Sequence, residues 1–451
     1  MTSLIDLSFY DHTTINPIGL AVVVILGIAT LFLPRRSVVL PFVIMACFIA
    51  PAQRIVAVGF DFTLLRILLL FGMTRIALRN EWRGFVWRPV DSAMVLYGLF
   101  GTIIYFIQQG DTSALVNRLG WAYDYVGMYF FFRMVIRTWK DLDGVALAFI
   151  IISVPVAIFF AYEWTTRRNI FAVFGGVPAI TMIRDGRLRC QGAFAHPILA
   201  GCFWATVLPL MIAEWVKGGR WRWAASLGIT ASLWIIFTTS SSTPVSAVIF
   251  VIVAMMFYPL RHSMWLVRIS IVLMLIALQL AMDKPVWHLL ARLTVFNSST
   301  GWYRYYLIDQ AVRHTGDWFF FGVKSTESWD ALDITNEYVL VAIRGGALTL
   351  SAFIALIVLA YRDAGRTWRA VGKDQYKVIM AWALGASVFV HTMDFIAVSY
   401  FGQIQILWSL SLAMIGSMAV ATERSKSHGR PSLATLARPI HPVAPRMSPV
   451  R

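Results

Sequence analysis

The chain has 451 residues, 59% of them hydrophobic and only 14% charged, with a mean hydropathy of +0.69. That balance excludes a soluble globular domain and calls for many apolar runs near the ~20 residues that span a bilayer. The formal net charge is +16, but the cations are scattered between apolar runs instead of gathered on one domain, which excludes a nucleic-acid-binding face. The three cysteines, Cys47, Cys190 and Cys202, have neither disulfide-framework nor metal-ligand spacing.

Met1–Asn16 carries no Lys or Arg ahead of its apolar run, so no cleavable signal peptide is expected. Apolar runs then predict spans at roughly 16–33, 38–52, 60–78, 90–108, 121–136, 144–163, 193–214, 221–239, 244–260, 265–282, 336–361, 376–393 and 397–420. The second is short and holds Pro41 and Pro51, so a re-entrant segment is an alternative there. The expected fold is an all-α polytopic membrane domain over residues 1–420, with about 12–13 transmembrane helices. Residues 421–451 are rich in Pro, Ser and Arg and lack apolar periodicity, which predicts a disordered basic tail. With that tail on the cytoplasmic side, the short basic connectors at Arg35 and Arg36, Arg79 to Arg88, Arg137 and Lys140, Lys217 to Arg222, Arg261 and Arg268, and Arg362 to Lys377 all fall on the same side. This is the positive-inside pattern, and it puts the segments 164–192 and 283–335 outside.

The loop 283–335 is the longest segment between spans, and loops beyond about 12–15 residues are uncommon without a function. It carries Trp302, Tyr303, Tyr305, Tyr306, Trp318 and Trp329 beside Arg304, Arg313 and Lys324. Flat rings stack on sugar faces and guanidinium forks hold phosphate oxygens in pairs, so the mixture suits a sugar joined to a phosphate. The alternative is an amphipathic loop whose aromatics rest at the headgroups. The segment 164–192 holds Arg167, Arg168, Arg184, Arg187 and Arg189 against a single acid, Asp185. Cations are disfavoured in short translocated loops, so the cluster has either acidic partners in the larger loop or an anionic ligand. At its end, Gly192 permits close backbone approach, and Pro197 lies in a first helical turn where its missing N–H costs nothing. A helix N-terminus with Arg189 just upstream favours an anion. His196 is either part of such a site or a hydrogen-bonded histidine at the interface.

Three landmarks, in this order and on the outer side, carry a family resemblance. Arg189, Gly192, Phe194 and Pro197 form an R-x-x-G-x-F pattern followed by proline. Arg304, in Gly301-Trp302-Tyr303-Arg304, precedes the hydrophobic-glycine segment Phe321-Gly322-Val323. Thr335-Asn336-Glu337-Tyr338 leads into the next span, with Gly345-Gly346 after it. Over roughly residues 180–360 the chain resembles the O-antigen ligase and O-antigen polymerase superfamily of bacterial inner-membrane glycosyltransferases. The resemblance implies a class C membrane-embedded fold with one long structured outer loop. It implies transfer of a glycan from a polyprenyl-diphosphate carrier to an acceptor sugar hydroxyl outside the inner membrane, with neither metal nor cofactor. The implied partners are the lipid-linked oligosaccharide, the acceptor glycan, the bilayer, and chain-length regulator and export proteins.

On that basis Arg189 and Arg304 clamp the departing diphosphate, where charge grows in the transition state. Gly192, His196, Trp302, Tyr305, Thr335, Asn336, Tyr338 and Arg344 line the substrate. The family's histidine at the third landmark is Thr335 here, and threonine is no general base at neutral pH. Glu337, Asp333 or His314 must then activate the acceptor, which favours polymerisation of exopolysaccharide or O-antigen repeats over ligation to a lipid A core. A family arginine after an earlier span is also missing, its place taken by Ser241-Ser242-Thr243-Pro244. Asp141-Leu142-Asp143 mimics a metal-binding D-x-D but falls on the inner side before a span, where an N-cap explains it. Two other classes compete: a glycolipid or anion transporter, which should show repeated halves and broken helices, and a non-catalytic assembly or sensor subunit.

The topology is directly testable. In intact cells an impermeant thiol reagent should modify the protein carrying Ser299→Cys and leave the protein carrying Ser427→Cys unmodified. The reverse pattern inverts the orientation.

Overall fold

The computed structural model describes residues 12–57, 59–291, 298–331 and 333–428. The first half contains α1 (Pro17–Phe32), α2 (Leu40–Phe48), α3 (Leu64–Leu78), α4 (Pro89–Gln109), α5 (Thr112–Ala122), α6 (Met128–Val135) and α7 (Trp139–Thr166). There follow α8 (Pro197–Lys217), α9 (Arg222–Thr238), α10 (Ser242–Met256) and α11 (Met264–Ala281). The last part holds α12 (Ser298–Arg313), the short α13 (Thr315–Trp318), α14 (Glu337–Ala370), α15 (Gln375–Asp394) and α16 (Gln403–His428). Two small antiparallel hairpins are the strands of the described residues: β1 (Arg54–Ala57) with β2 (Phe60–Thr63), and β3 (Met182–Arg184) with β4 (Arg187–Arg189).

Among the described residues, seven helical segments are long and apolar enough to cross a membrane: α4, α7, α8, Tyr258–Ala281 containing α11, α14, α15 and α16. Shorter helices run beside them. The protein is therefore mostly helical and multi-pass. Its helices start where the sequence supplies caps. Asn16 accepts from the Ile18 amide, Thr63 from Arg66 and Asp111 from Ala114, and Thr138 with Asp141 forms a capping box on α7. Pro17, Pro89 and Pro197 occupy first-turn positions where no amide is needed. Asp141 of the D-x-D is that capping residue, and Asp143 pairs with Lys217 at 2.9 Å.

Side-chain bonds sort the helix ends into two groups. At one end Arg75 donates to Glu81 at 3.0 and 3.1 Å and to the Leu33 carbonyl at 2.6 Å. Arg88 holds Asp363 at 3.0 and 3.1 Å and Glu423 at 2.9 Å. Arg133 holds Asp91 at 3.1 Å. At the opposite end Thr14 and Arg54 exchange backbone hydrogen bonds, Asn16 donates to the Val173 carbonyl at 3.2 Å, and Gln53 donates to that of Phe174. The first group collects the basic connectors; the second holds the segments 164–192 and 283–335. If α2 and the extended residues after it count as one pass, the alternation of ends places residue 12 and residue 428 at opposite ends.

Two details depart from the sequence expectation. The tail was placed from residue 421, but α16 continues to His428. Glu423 pairs with Arg88, and Arg424 donates to the Gly84 carbonyl at 2.5 Å, so these polar residues gain helix-end partners. The rest of the expected tail lies outside the described residues. Second, α14 breaks at Gly346, which sits at φ 63° and ψ −171°. The freed Ile343 carbonyl accepts from Val323 N at 2.7 Å and from Gln108 at 2.9 Å, and Ala347 N donates to the Phe319 carbonyl at 2.7 Å. The long loop thus folds back into the gap and satisfies backbone groups that lipid cannot.

Asp91 is fully buried and accepts from Tyr129 (2.5 Å), Arg133 (3.1 Å) and the Arg88 amide (2.6 Å). Asp91→Ala leaves the Arg133 charge uncompensated and should destabilise the fold by about 3–5 kcal/mol. The check is a large fall in the thermal midpoint of detergent-purified protein; an unchanged midpoint would remove this cluster from the stabilising core.

Candidate functional site

Arg189 is the last residue of β4. Burial deepens along the strand, from exposed Arg187 to Arg189 at 4% exposure. The turn after it is held by Glu163 near the end of α7. The Glu163 carboxylate accepts from the amides of Gln191 (3.2 Å) and Gly192 (2.8 Å) and from the Thr181 hydroxyl (3.1 Å). Asn169 donates to the Gly192 carbonyl at 2.8 Å. Gly192 has φ 56°, and a Cβ there would lie 2.5 Å from Phe160, so both conformation and space require glycine. His196 then caps α8, its Nδ1 accepting from the Ile198 amide at 3.2 Å.

The Cys190 amide donates to the Thr238 carbonyl at 3.0 Å, tying this turn to the end of α9. There the chain reverses through Ser240, at φ 45°, into α10. Arg189 Nη2 donates to Ser241 Oγ at 3.4 Å. Arg304, on α12, donates from Nη2 to Thr243 Oγ1 at 2.8 Å. The two arginines are 115 residues apart in sequence, and their hydroxyl partners are two residues apart. The Nε of each is buried without a hydrogen-bond partner. Among the described residues neither arginine forms a salt bridge within 4.0 Å. Ser241 is the N-cap of α10 but makes no side-chain cap bond, so the free first-turn amides of α10 lie beside the same two guanidiniums. Burial, with Arg184 nearby, pulls Arg189 below its ordinary value to about 10, and burial also lowers Arg304. Both stay charged at neutral pH, desolvated and short of counter-charge. Cations that converge with no carboxylate in salt-bridge contact among the described residues are disposed to take an anion.

The other sequence candidates lie at varied distances from this centre. Asp394 and Cys202 act electrostatically on Arg304, and both Asp394 oxygens are buried with no nitrogen or oxygen donor. Glu337 is buried and accepts from the Tyr400 amide at 2.7 Å, while its own amide donates to the Phe395 carbonyl at 2.8 Å. Asn336 caps α14 through the Val339 amide (3.0 Å), and Tyr338 donates to the Thr392 carbonyl (3.0 Å). Thr335 is half-buried just ahead of them. Arg344 is exposed and shares a small cavity with Arg118 and Glu337. His314 stacks on Trp329 at 4.9 Å, and its Nδ1–H donates to the Gln310 carbonyl (3.0 Å). Asp333 is exposed, with its backbone bound by the Tyr303 hydroxyl at 2.6 Å. Trp302 is 53% exposed and stacks on Tyr306 at 5.1 Å, and Tyr305 meets His288 edge-on at 4.7 Å.

Among the described residues no salt bridge joins an acid of the long loop to Arg167, Arg168, Arg184 or Arg189: Asp309 binds Arg313 at 2.6 Å, and Arg184 approaches Asp185 at 3.9 Å. Glu163, Ser241 and Thr243 escaped the sequence reading as site residues. The usable signals were an acid near the end of an apolar span and a Ser/Thr cluster opening one.

Together these features define a multi-pass membrane protein in which two buried arginines meet at one helix turn at one end of its bundle. No protein-family model matches the chain, and none of the curated proteins matches it.

His196 feels burial and the like charges of Arg189 and Arg184, which lower its pKa from 6.5 to about 4. The folded state therefore binds fewer protons than the unfolded one between these values. The corresponding stability is present above pH 6.5 and is lost as pH falls toward 4. The thermal midpoint should fall over that window, and His196→Asn, which keeps a capping oxygen, should flatten the fall. An unaltered slope in the variant would place the titrating group elsewhere.

Proposed function

We propose that this protein transfers a glycan from a polyprenyl-diphosphate carrier to an acceptor sugar hydroxyl at the extracytoplasmic face of a bacterial inner membrane, polymerising exopolysaccharide or O-antigen repeats without a metal. The observation that carries this reading is the convergence of Arg189 and Arg304 on Ser241 and Thr243, with no salt bridge to either guanidinium among the described residues. A diphosphate supplies what that centre lacks. Its negative charge increases as the bond between the anomeric carbon and the diphosphate oxygen breaks, so the two cations act most strongly in the transition state. The acceptor oxygen bonds to the anomeric carbon, and its proton passes to a carboxylate.

For that carboxylate, Asp394 is favoured over Glu337, Asp333 and His314. It acts on Arg304 and its oxygens have no N–H or O–H donor, whereas Glu337 is tied to the Tyr400 amide and His314 lies against Trp329. The aromatic face of α12 around Trp302 and Tyr306 offers stacking area for the sugars of the donor. The threonine at position 335 supports polymerisation over ligation to a lipid A core. The break in α14 is a feature of transporters, but the unpaired cations gather at one end of the bundle, where a group-transfer site is expected.

Arginine-to-lysine exchange keeps charge but loses the planar fork, and removing one donor of this kind costs on the order of 10²–10³ in rate. Arg189→Ala and Arg304→Ala should each nearly abolish polymer formation at normal membrane abundance, and the lysine variants should be strongly impaired. The double alanine variant should be little worse than either single, because the two act as one unit. Arg167→Ala should be mild. Near-normal polymer from either alanine variant would remove that arginine from the site.

A further inference from the structure

A cavity of about 930 Å³ opens at the same end of the bundle, between α2, the β1–β2 hairpin, α3, α5 and the start of α16. Neither Arg189 nor Arg304 lines it. Its size suits a substantial organic ligand, and its lining is mixed. Gln109, Asp111, Asn117 and Gln405 stand in it with the aromatic rings of Tyr105 and Tyr123, beside the apolar side chains of Met45 of α2, Leu70 of α3, Met128 of α6 and Ile406 of α16. A π-helical turn, Tyr123–Gly127, joins α5 to α6, and its first two residues lie in the wall. Such turns widen a helix locally and are frequent at functional positions.

The charges of this cavity differ in kind from those of the arginine site. Arg54 donates to Asp61 at 2.6 Å, and Arg66 grips Asp124 with two bonds of 2.9 and 2.7 Å. Asp111 caps α5. Both cations of the lining are thus neutralised by carboxylates, which leaves no excess positive charge to draw an anion. What remains is a dense set of amides, paired charges and ring faces, which match the alternating donors and acceptors and the apolar faces of a neutral sugar.

We infer that this cavity is a second binding site, taking a neutral saccharide. Naming that ligand the acceptor rests on the glycan-transfer reading; its binding does not. The two sites share a wall. Gln403 lines the cavity and donates to the Ala193 carbonyl at 2.7 Å, and Gly402 lines it while packing on Ala195. Ala193 and Ala195 belong to the turn that follows Arg189.

The test uses the full-length protein in nanodiscs and three dodecyl probes with a diazirine in the chain, headed by maltose, phosphocholine or phosphate. The maltoside should label peptides spanning 45–70 and 105–128 in preference to the other two. Asn117→Leu and Gln109→Leu, which touch no ion pair, should each lower that labelling about fivefold, the worth of one hydrogen bond, in protein that still elutes as a single species. Arg189→Ala should leave it intact. Equal labelling by the phosphocholine probe would make the cavity an ordinary lipid crevice, and preference for the phosphate probe would make it an anion site. Labelling unchanged in both leucine variants would also overturn the proposal. Labelling that persists in a protein shown to transfer no glycan would uphold the site while the transfer reading fell.

Discussion

Two buried guanidiniums that reach one helix turn and form no salt bridge among the described residues are the constraint around which this end of the helix bundle is arranged. Burying a cation without a partner is expensive, so the surrounding chain must hold it in place by other bonds. Glu163 fixes the turn after Arg189 through two amides and a hydroxyl. Gly192 fits against Phe160 because it has no side chain. The long loop is pinned to the break in α14 by backbone bonds from Val323 and to Phe319, which fixes the region from which α12 presents Arg304. Each device orders a segment that brings one of the two arginines to that turn.

The opposite end of the bundle follows the ordinary logic of buried charge. Arg75, Arg88, Arg133 and Lys217 each meet a carboxylate within 3.1 Å. Those networks are closed and bring together helices distant in sequence, as Arg88 does for α4, α14 and α16. The contrast between the two ends separates structural cations from cations kept for a ligand. It also separates the arginine centre from the neighbouring cavity, whose arginines are paired.

Much of the architecture was legible because membrane spans are written in long apolar runs. The helix start at Pro197 was legible because a first-turn proline is a local signal. The anion site was legible in part. Arg189 and Arg304 stood out by residue type and place, but their shared turn at Ser241–Thr243 depends on packing between helices far apart in sequence, which no local pattern encodes. Ser241-Ser242-Thr243-Pro244 read as a place where an arginine was missing; in the fold it is where two arginines arrive. Glu163 was hidden because a carboxylate at the end of a span looks like an interfacial residue until the amides it binds are known. The break in α14 was foreshadowed only by Gly345-Gly346, since the loop that completes it lies more than twenty residues upstream.

The central claim is that Arg189 and Arg304 hold one diphosphate between them. Equilibrium binding of farnesyl diphosphate to the protein in nanodiscs measures this without requiring acceptor or turnover. The account predicts saturable binding that either Arg189→Gln or Arg304→Gln weakens by roughly tenfold or more, the worth of a charge-assisted bond, with the double variant little weaker than the singles. Wild-type affinity in either single variant, or additive losses in the double, would contradict a shared diphosphate and return the two arginines to separate structural roles.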